Sequence, residues 1–147
     1  MFLSRDINNR NDAWGGDIEN RARIHLEIIK RCREEVGEDF PISVKMNSAD
    51  FQIGGFAADD SIIVAKMLES AGVDIIEISG GTYEQPKLIG VDDLTINPER
   101  SEQRKESTIA REAYFLEYAK DIRKAVSLPL MVTGGFRTKE GIEDALK

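Results

Sequence analysis

The sequence predicts an α/β fold of parallel βα units, and three observations predict it. Short apolar runs recur at 41–46, 73–79 and 129–133. Amphipathic stretches with apolar residues at helical spacing lie between them, and polar-glycine turns follow the apolar runs. Strands alternating with amphipathic helices pair in parallel through right-handed crossovers. At 147 residues the chain is within the size of one domain and long enough to bury a core, so a single domain over 1–147 is expected.

Residues 1–16 are polar and irregular, with Asn8, Asn9, Asn11, Asp12, Gly15 and Gly16 marking loop. Asp17 is the predicted N-cap of a first helix, with Glu19 complementing the dipole in its first turn. Ile18, Ala22, Leu26, Ile29, Cys32 and Val36 form its predicted apolar face, and Gly37 its C-cap. Pro41-Ile42-Ser43-Val44-Lys45-Met46 reads as a buried strand ending in polar Asn47 and Ser48. A loop through Ile53-Gly54-Gly55-Phe56 leads to a second helix, capped by Asp59 or Asp60, carrying Ile62, Ile63, Ala65, Met67, Leu68 and Ala71 and ending at Gly72.

The second strand, Val73–Ser79, runs directly into Gly80-Gly81. Residues 82–106 are a long polar connection with Pro86, Gly90 and Pro98, of a length that in compact domains is usually functional or disordered. Ile109, Ala113, Leu116, Ala119, Ile122 and Val126 mark one face of a third helix. The third strand covers 129–133, and Thr138 begins a fourth helix.

Composition narrows the function. A hydrophobic content of 41% with 32% charged residues is that of an ordinary globular protein. A net charge of −7 argues against a general nucleic-acid binder, which needs a basic face. The single cysteine, Cys32, excludes an internal disulfide framework and a cysteine-based metal cluster. No apolar run approaches the length of a membrane span, and Met1-Phe2-Leu3 is too short for a signal peptide, so a cytoplasmic, reduced setting is expected.

The chemistry is sought where such folds bind ligands, at the C-terminal ends of the strands. Lys45, Asn47, Ser79, Gly80, Gly81, Gly134 and Gly135 all fall at or beside those ends. Val132-Thr133-Gly134-Gly135-Phe136-Arg137-Thr138 is the most informative of these segments. A glycine pair lets the backbone approach an anion closely, and successive N–H groups ahead of a helix form a ready phosphate site. The competing reading is a βα turn that carries Gly-Gly for packing alone.

Phe2-Leu3-Ser4, Asn8, Arg10-Asn11-Asp12 and Trp14-Gly15-Gly16-Asp17-Ile18-Glu19-Asn20-Arg21-Ala22-Arg23 together resemble the FLSP..N.R.D.YGGS.ENRAR signature of the Old Yellow Enzyme family. The likeness continues through Val44-Lys45-Met46-Asn47 and Glu77-Ile78-Ser79-Gly80-Gly81 to Thr133-Gly134-Gly135-Phe136-Arg137, in the family's order and spacing. The resemblance implies a partial TIM (β/α)8 barrel, covering about its fifth to seventh strands. It implies an FMN-dependent oxidoreductase or ene-reductase that takes hydride from NADH or NADPH and reduces the activated C=C bond of a small molecule. It places Lys45, where the family more often has Arg, at flavin N1 and the C2 carbonyl, and Gly134 and Gly135 at the flavin phosphate. Lysine keeps the charge there but loses the planar fork. Trp14 for the usual Tyr and Asp17 for the usual Ser are tolerable departures.

The same resemblance puts the family's substrate-holding His-His or His-Asn pair and its Tyr proton donor upstream of Phe2, and a second phosphate loop beyond Lys147. The chain is therefore expected to be an internal piece with part of a flavin site and no catalytic residue of its own. The alternative function is a non-catalytic truncated barrel that does not bind FMN alone. In either case open barrel edges predict a homo-oligomer. A phosphate-binding half-barrel of unrelated origin would require the N-terminal signature to be accidental.

Each residue singled out has a plainer reading beside the functional one. Lys45 by itself reads as a strand-end lysine reaching solvent. His25, mid-helix and away from the strand ends, reads as structural or surface, and a lone His gives no metal site. Cys32 is expected as a small core residue, and Asp59-Asp60 and Glu34-Glu35 as capping or solvated charges. Tyr83 either reaches a substrate from the strand-end face or packs the long connection. Arg21 and Arg23 read as ion-pair or capping groups that hold the signature loop.

Overall fold

The computed structural model describes residues 2–50, 55–79 and 115–147. The elements run α1 (Ile18–Val36), β1 (Ser43–Asn47), α2 (Ala58–Ser70), β2 (Ile75–Ser79), α3 (Leu116–Ala125), β3 (Leu130–Val132) and α4 (Lys139–Ala145). The expected alternation is what forms. The strands make one parallel sheet in the order β1-β2-β3, with Lys45 opposite Glu77 and Glu77 opposite Met131.

Side chains alternate across a strand. Here one face of the sheet carries Val44, Met46, Ile76, Ile78, Leu130 and Val132, all in or packed against the core. Val64 and Leu68 of α2, Phe115 just before α3, and Ile122 of α3 complete that core, each almost wholly excluded from solvent. Helix α2 lies between α1 and α3, packing against both. The opposite face bears Lys45, Glu77 and Met131, and no described element covers it.

The N-terminal ends of the strands are tied down by side chains acting on backbone. Arg33 donates to the carbonyls of Phe40 at 2.6 Å and Gly72 at 2.7 Å and pairs with Asp74 at 2.6 Å. Asp74 in turn accepts from the Ile42 N–H at 2.7 Å. Glu69 does the same for the third strand, accepting from the Ser127 N–H and hydroxyl and the Leu128 N–H. These carboxyls are held below the ordinary range, Asp74 by the Ile42 N–H and then Arg33, and Glu69 by the Ser127 hydroxyl and N–H.

Three local expectations change. Asp17 occupies the N-cap of α1, but its side chain makes no capping hydrogen bond. Arg21 anchors the loop before the helix, donating to the Gly16 carbonyl at 3.0 Å. The N-cap of α2 is Ala57, with Asp59 and Asp60 inside the first turn where the helix dipole still favours them. Cys32 is exposed, not buried. The reason is that Ile18, Ala22 and Ile29 bury while the last turns of α1 project past the core, leaving Val36 43% exposed as well. The third helix is described from Leu116, so Ile109, Ala113 and the 82–106 connection lie outside the described residues. Gly37 closes α1 as expected, with φ 80° and its N–H on the Arg33 carbonyl. Thr138 caps α4, accepting from the Gly141 N–H at 3.0 Å.

Candidate functional site

The signature segment is built around one buried cation. Arg21 is 2% exposed, and its guanidinium donates to the carbonyls of Leu3 and Gly16 and to Asp60 of α2, the last at 2.9 Å. Arg23 donates to the Ala13 carbonyl at 2.7 Å and lies over the Trp14 ring at 5.9 Å. Asn8 gathers the carbonyls of Phe2 and Trp14, both at 2.8 Å. Both arginines hold the loop, as the sequence reading expected. His25 packs edge-on against Phe2 with centroids 6.1 Å apart, and burial pushes its imidazole pKa down. It lines a cavity of about 230 Å³ with Ser4, Met46 and Phe56, on the β1 side of the sheet.

A second polar cluster sits on the uncovered face. The alternation of β1 turns Lys45 away from the core, and the parallel register sets it beside Glu77. Lys45 Nζ meets Glu77 Oε1 at 2.7 Å. The Thr133 hydroxyl donates to the same carboxylate oxygen. The Lys45 ammonium first, and the Thr133 hydroxyl second, hold the Glu77 carboxyl below the ordinary range. The Lys45 side chain remains 54% exposed and that of Glu77 19%. A ligand approaching the open face therefore reaches the cation before the anion.

The Thr133 N–H donates to the Ile78 carbonyl at 2.9 Å, carrying the parallel ladder one residue past β3. The chain then turns through Gly134 at φ 97° and Gly135 at φ 82°. Both lie in the left-handed region, where a side chain costs about 1–2 kcal/mol. The backbone requirement for a close anion approach is thus present. Helix α4 behind the turn has seven residues, and Thr138 already accepts one of its first-turn N–H groups. The anion reading therefore rests on the Gly134-Gly135 turn more than on the helix.

Lys45 lies on the face of the sheet that no described element covers, and Gly134 and Gly135 form the turn that follows β3 of the same sheet. Gly80, Gly81 and Tyr83 lie outside the described residues. Glu77 and Thr133 were not among the residues singled out from sequence. The signal was available, because Glu77 interrupts the apolar stretch Ile75–Ile78 with a charge, where parallel strands are usually continuously hydrophobic.

A parallel sheet walled by helices on one face, with a lysine and a glycine-rich turn toward its strand ends, is the arrangement of consecutive βα units in an α/β barrel. Comparison with known proteins gives the particular family. The sequence model of the NADH:flavin oxidoreductase / NADH oxidase family matches residues 1–147, and the chain belongs to that family. The chain is 39% identical to an NADH-dependent flavin oxidoreductase of Neonectria sp. (strain DH2), over 99% of this chain and 18% of that protein. It is 36% identical to an NADH oxidase of Thermoanaerobacter brockii, over 97% of this chain and 20% of that protein. Among solved structures it superimposes on 2-naphthoyl-CoA reductase in complex with 2-naphthoyl-CoA, with a TM-score of 0.79 and 33% identity, covering 99% of this chain and 20% of that one. The structural neighbours are TIM-barrel-type flavoenzymes, so the parallel βα units are those of such a barrel. The chain thus spans about a fifth of the length of these relatives. No described helix is long and apolar enough to cross a membrane.

Proposed function

We propose that this chain forms one side of an FMN site in an oxidoreductase that reduces an activated C=C bond of a small molecule with electrons from NADH or NADPH. The observation that carries the reading is a half-exposed Lys45 on the open face of a sheet whose third strand ends in Gly134-Gly135, both at positive φ. The donor set suits the group. Backbone N–H groups of a glycine turn donate to a phosphate, and an ammonium stabilises the negative charge that develops on a reduced isoalloxazine. FMN, when bound, supplies the two-electron carrier between nicotinamide and acceptor.

The chain's own contribution is to bind and to set charge. Lys45 offers a cation already fixed by Glu77, so it need not be ordered when the ligand arrives. Gly134 and Gly135 present N–H groups with no side chain in the way. Helices α2 and α3 hold the strands from behind, through Leu68, Ile76, Ile78 and Ile122. The uncovered face, with Met131 45% exposed, together with the outer edges of β1 and β3, favours association with a further copy of the chain.

The test is direct. The protein is mixed with FMN and passed down a sizing column, and the visible spectrum of the protein peak is read. A yellow peak that is lost in Lys45→Met and in Gly134→Val supports the reading, and elution as a dimer or larger supports the association. A colourless wild-type peak refutes the flavin site.

A further inference from the structure

We propose that Glu77 is a positioning residue of this site, one that fixes the Lys45 ammonium and offsets its charge and so sets how strongly the site favours reduced over oxidised flavin. The inference rests on the reading that Lys45 meets the flavin. It concerns a residue whose role neither the composition nor the strand-end glycines point to.

Three observations carry it. First, the carboxylate is misplaced for a purely architectural residue. It occupies the middle strand of the sheet, between edge-strand neighbours Lys45 and Met131, with Ile75 two residues before it on the same face. A parallel strand normally fills such a position with an apolar side chain. Second, its side chain is only 19% exposed, so the charge sits partly desolvated and has to be compensated locally. Third, two donors from the two neighbouring strands converge on one oxygen, Lys45 Nζ from β1 and the Thr133 hydroxyl from just beyond β3. The third group ties the carboxylate to the residue immediately before Gly134, so the cation and the glycine turn are mechanically joined through Glu77.

The electrostatic consequence has a definite sign. A bare ammonium beside the isoalloxazine stabilises the anionic reduced form and raises the reduction potential. With a carboxylate 2.7 Å from that ammonium, the pair presents little net charge and the preference for the reduced form is smaller. Removing the negative charge while keeping the hydrogen bonds therefore favours the reduced flavin. The effect is on the order of tenfold in the ratio of reduced to oxidised binding constants, which for a two-electron couple is a positive shift of about 30 mV.

Glu77→Gln is the variant that isolates charge from shape, because the amide oxygen still accepts from Lys45 and Thr133. The midpoint potential of bound FMN and its two dissociation constants are measured by equilibrium titration at saturating FMN, where even the weakened binding that Lys45→Met loses on a column is still read, in wild type, Glu77→Gln, Lys45→Met and the double variant. The expected result is the positive shift in Glu77→Gln, shrinking to under about a third of its size when Lys45 is already methionine. Far-UV circular dichroism checks that each variant folds. Should Glu77→Gln not fold, Glu77→Asp serves in its place. It keeps the charge but draws it back from the Lys45 ammonium by one methylene, and is expected to move the potential the same way by a smaller factor. FMN bound to all variants with an unmoved potential overturns this inference and leaves the flavin site standing. The same shift with and without Lys45 also overturns it, since Glu77 would then act on the flavin directly. A wild type that holds no FMN overturns both.

Discussion

Two cations, Arg21 and Lys45, each meet a carboxylate from another element, and their difference separates architecture from chemistry. Arg21 is 2% exposed and meets two carbonyls as well as Asp60. Lys45 is 54% exposed and meets Glu77 on a face no described element covers. A guanidinium buried among protein acceptors is closed to a ligand, and its removal leaves buried groups unpaired. A half-exposed ammonium contributes little to the fold and can meet an incoming anion. The most recognisable part of the sequence is therefore the frame, and the residues proposed to meet the flavin make a weaker sequence signal.

Breaking the frame gives the largest expected effect. Arg21→Ala strands the Leu3 and Gly16 carbonyls and leaves Asp60 without its cation. Such truncations of buried charged pairs cost about 3–5 kcal/mol. Urea unfolding should show that loss, or no folded state at all, and Arg21→Lys should recover only part of it because an ammonium lacks the planar fork. An Arg21→Ala protein as stable as wild type would erase the distinction drawn here. Gly15→Ala attacks the same frame sterically. Gly15 is buried, and a Cβ there would run into the backbone carbonyl of Arg10, which cannot swing aside as a side chain can. Overpacking of this kind costs about 1–3 kcal/mol, again readable as a lower urea midpoint.

Much of the frame was legible because it depends on spacing. The alternation of apolar runs and amphipathic stretches gave strands and helices in the right order, and Gly37 and Thr138 marked helix ends by their backbone and capping chemistry. Cys32 was misread because periodicity continues along a helix after the core beneath it has ended. Asp17, and Asp59 or Asp60, are expected as caps by residue type, but Asp17 makes no capping hydrogen bond, Ala57 takes the N-cap of α2, and Asp60 meets Arg21, thirty-nine residues away. The site was legible in half. Lys45 and the glycine pair announce themselves by residue type. Glu77 and Thr133 matter only through register, since Glu77 lies thirty-two residues from Lys45 and fifty-six from Thr133. Nothing local in the chain tells which residues a parallel ladder sets side by side.

A smaller effect is expected at the N-terminal ends of the strands, where Asp74 and Glu69 work on backbone N–H groups. Their folded pKa values lie below the ordinary carboxylate range, so the stability they confer is fully present above the unfolded pKa of about 4 and is lost as pH falls through the lower, folded value. The urea midpoint should hold from neutral pH down to about 5 and decline at more acid pH. Asp74→Asn should lower the midpoint at neutral pH and flatten the acid limb, because the Ile42 N–H and Arg33 would no longer distinguish two charge states. An acid limb of unchanged steepness would place the titrating groups elsewhere. The loss should stay below that of Arg21→Ala, since the Asp74 side chain is 45% exposed.

The smallest effect on the fold is expected at Lys45, and its smallness is the point. Lys45→Met removes one partner of an ion pair whose cation is half in water, an interaction of about 0–1 kcal/mol, and leaves Glu77 with the Thr133 hydroxyl. The methionine stem replaces most of the lysine stem on a face already bearing Ile75 and Met131, so packing changes little. The urea midpoint should therefore stay close to wild type while the yellow colour of an FMN-loaded protein is lost. If Lys45→Met instead falls as far as Arg21→Ala, the two cations do the same job, and the open face is a structural surface after all. If stability holds and flavin is retained, the frame is intact and the charge that receives the flavin has to be sought on another residue.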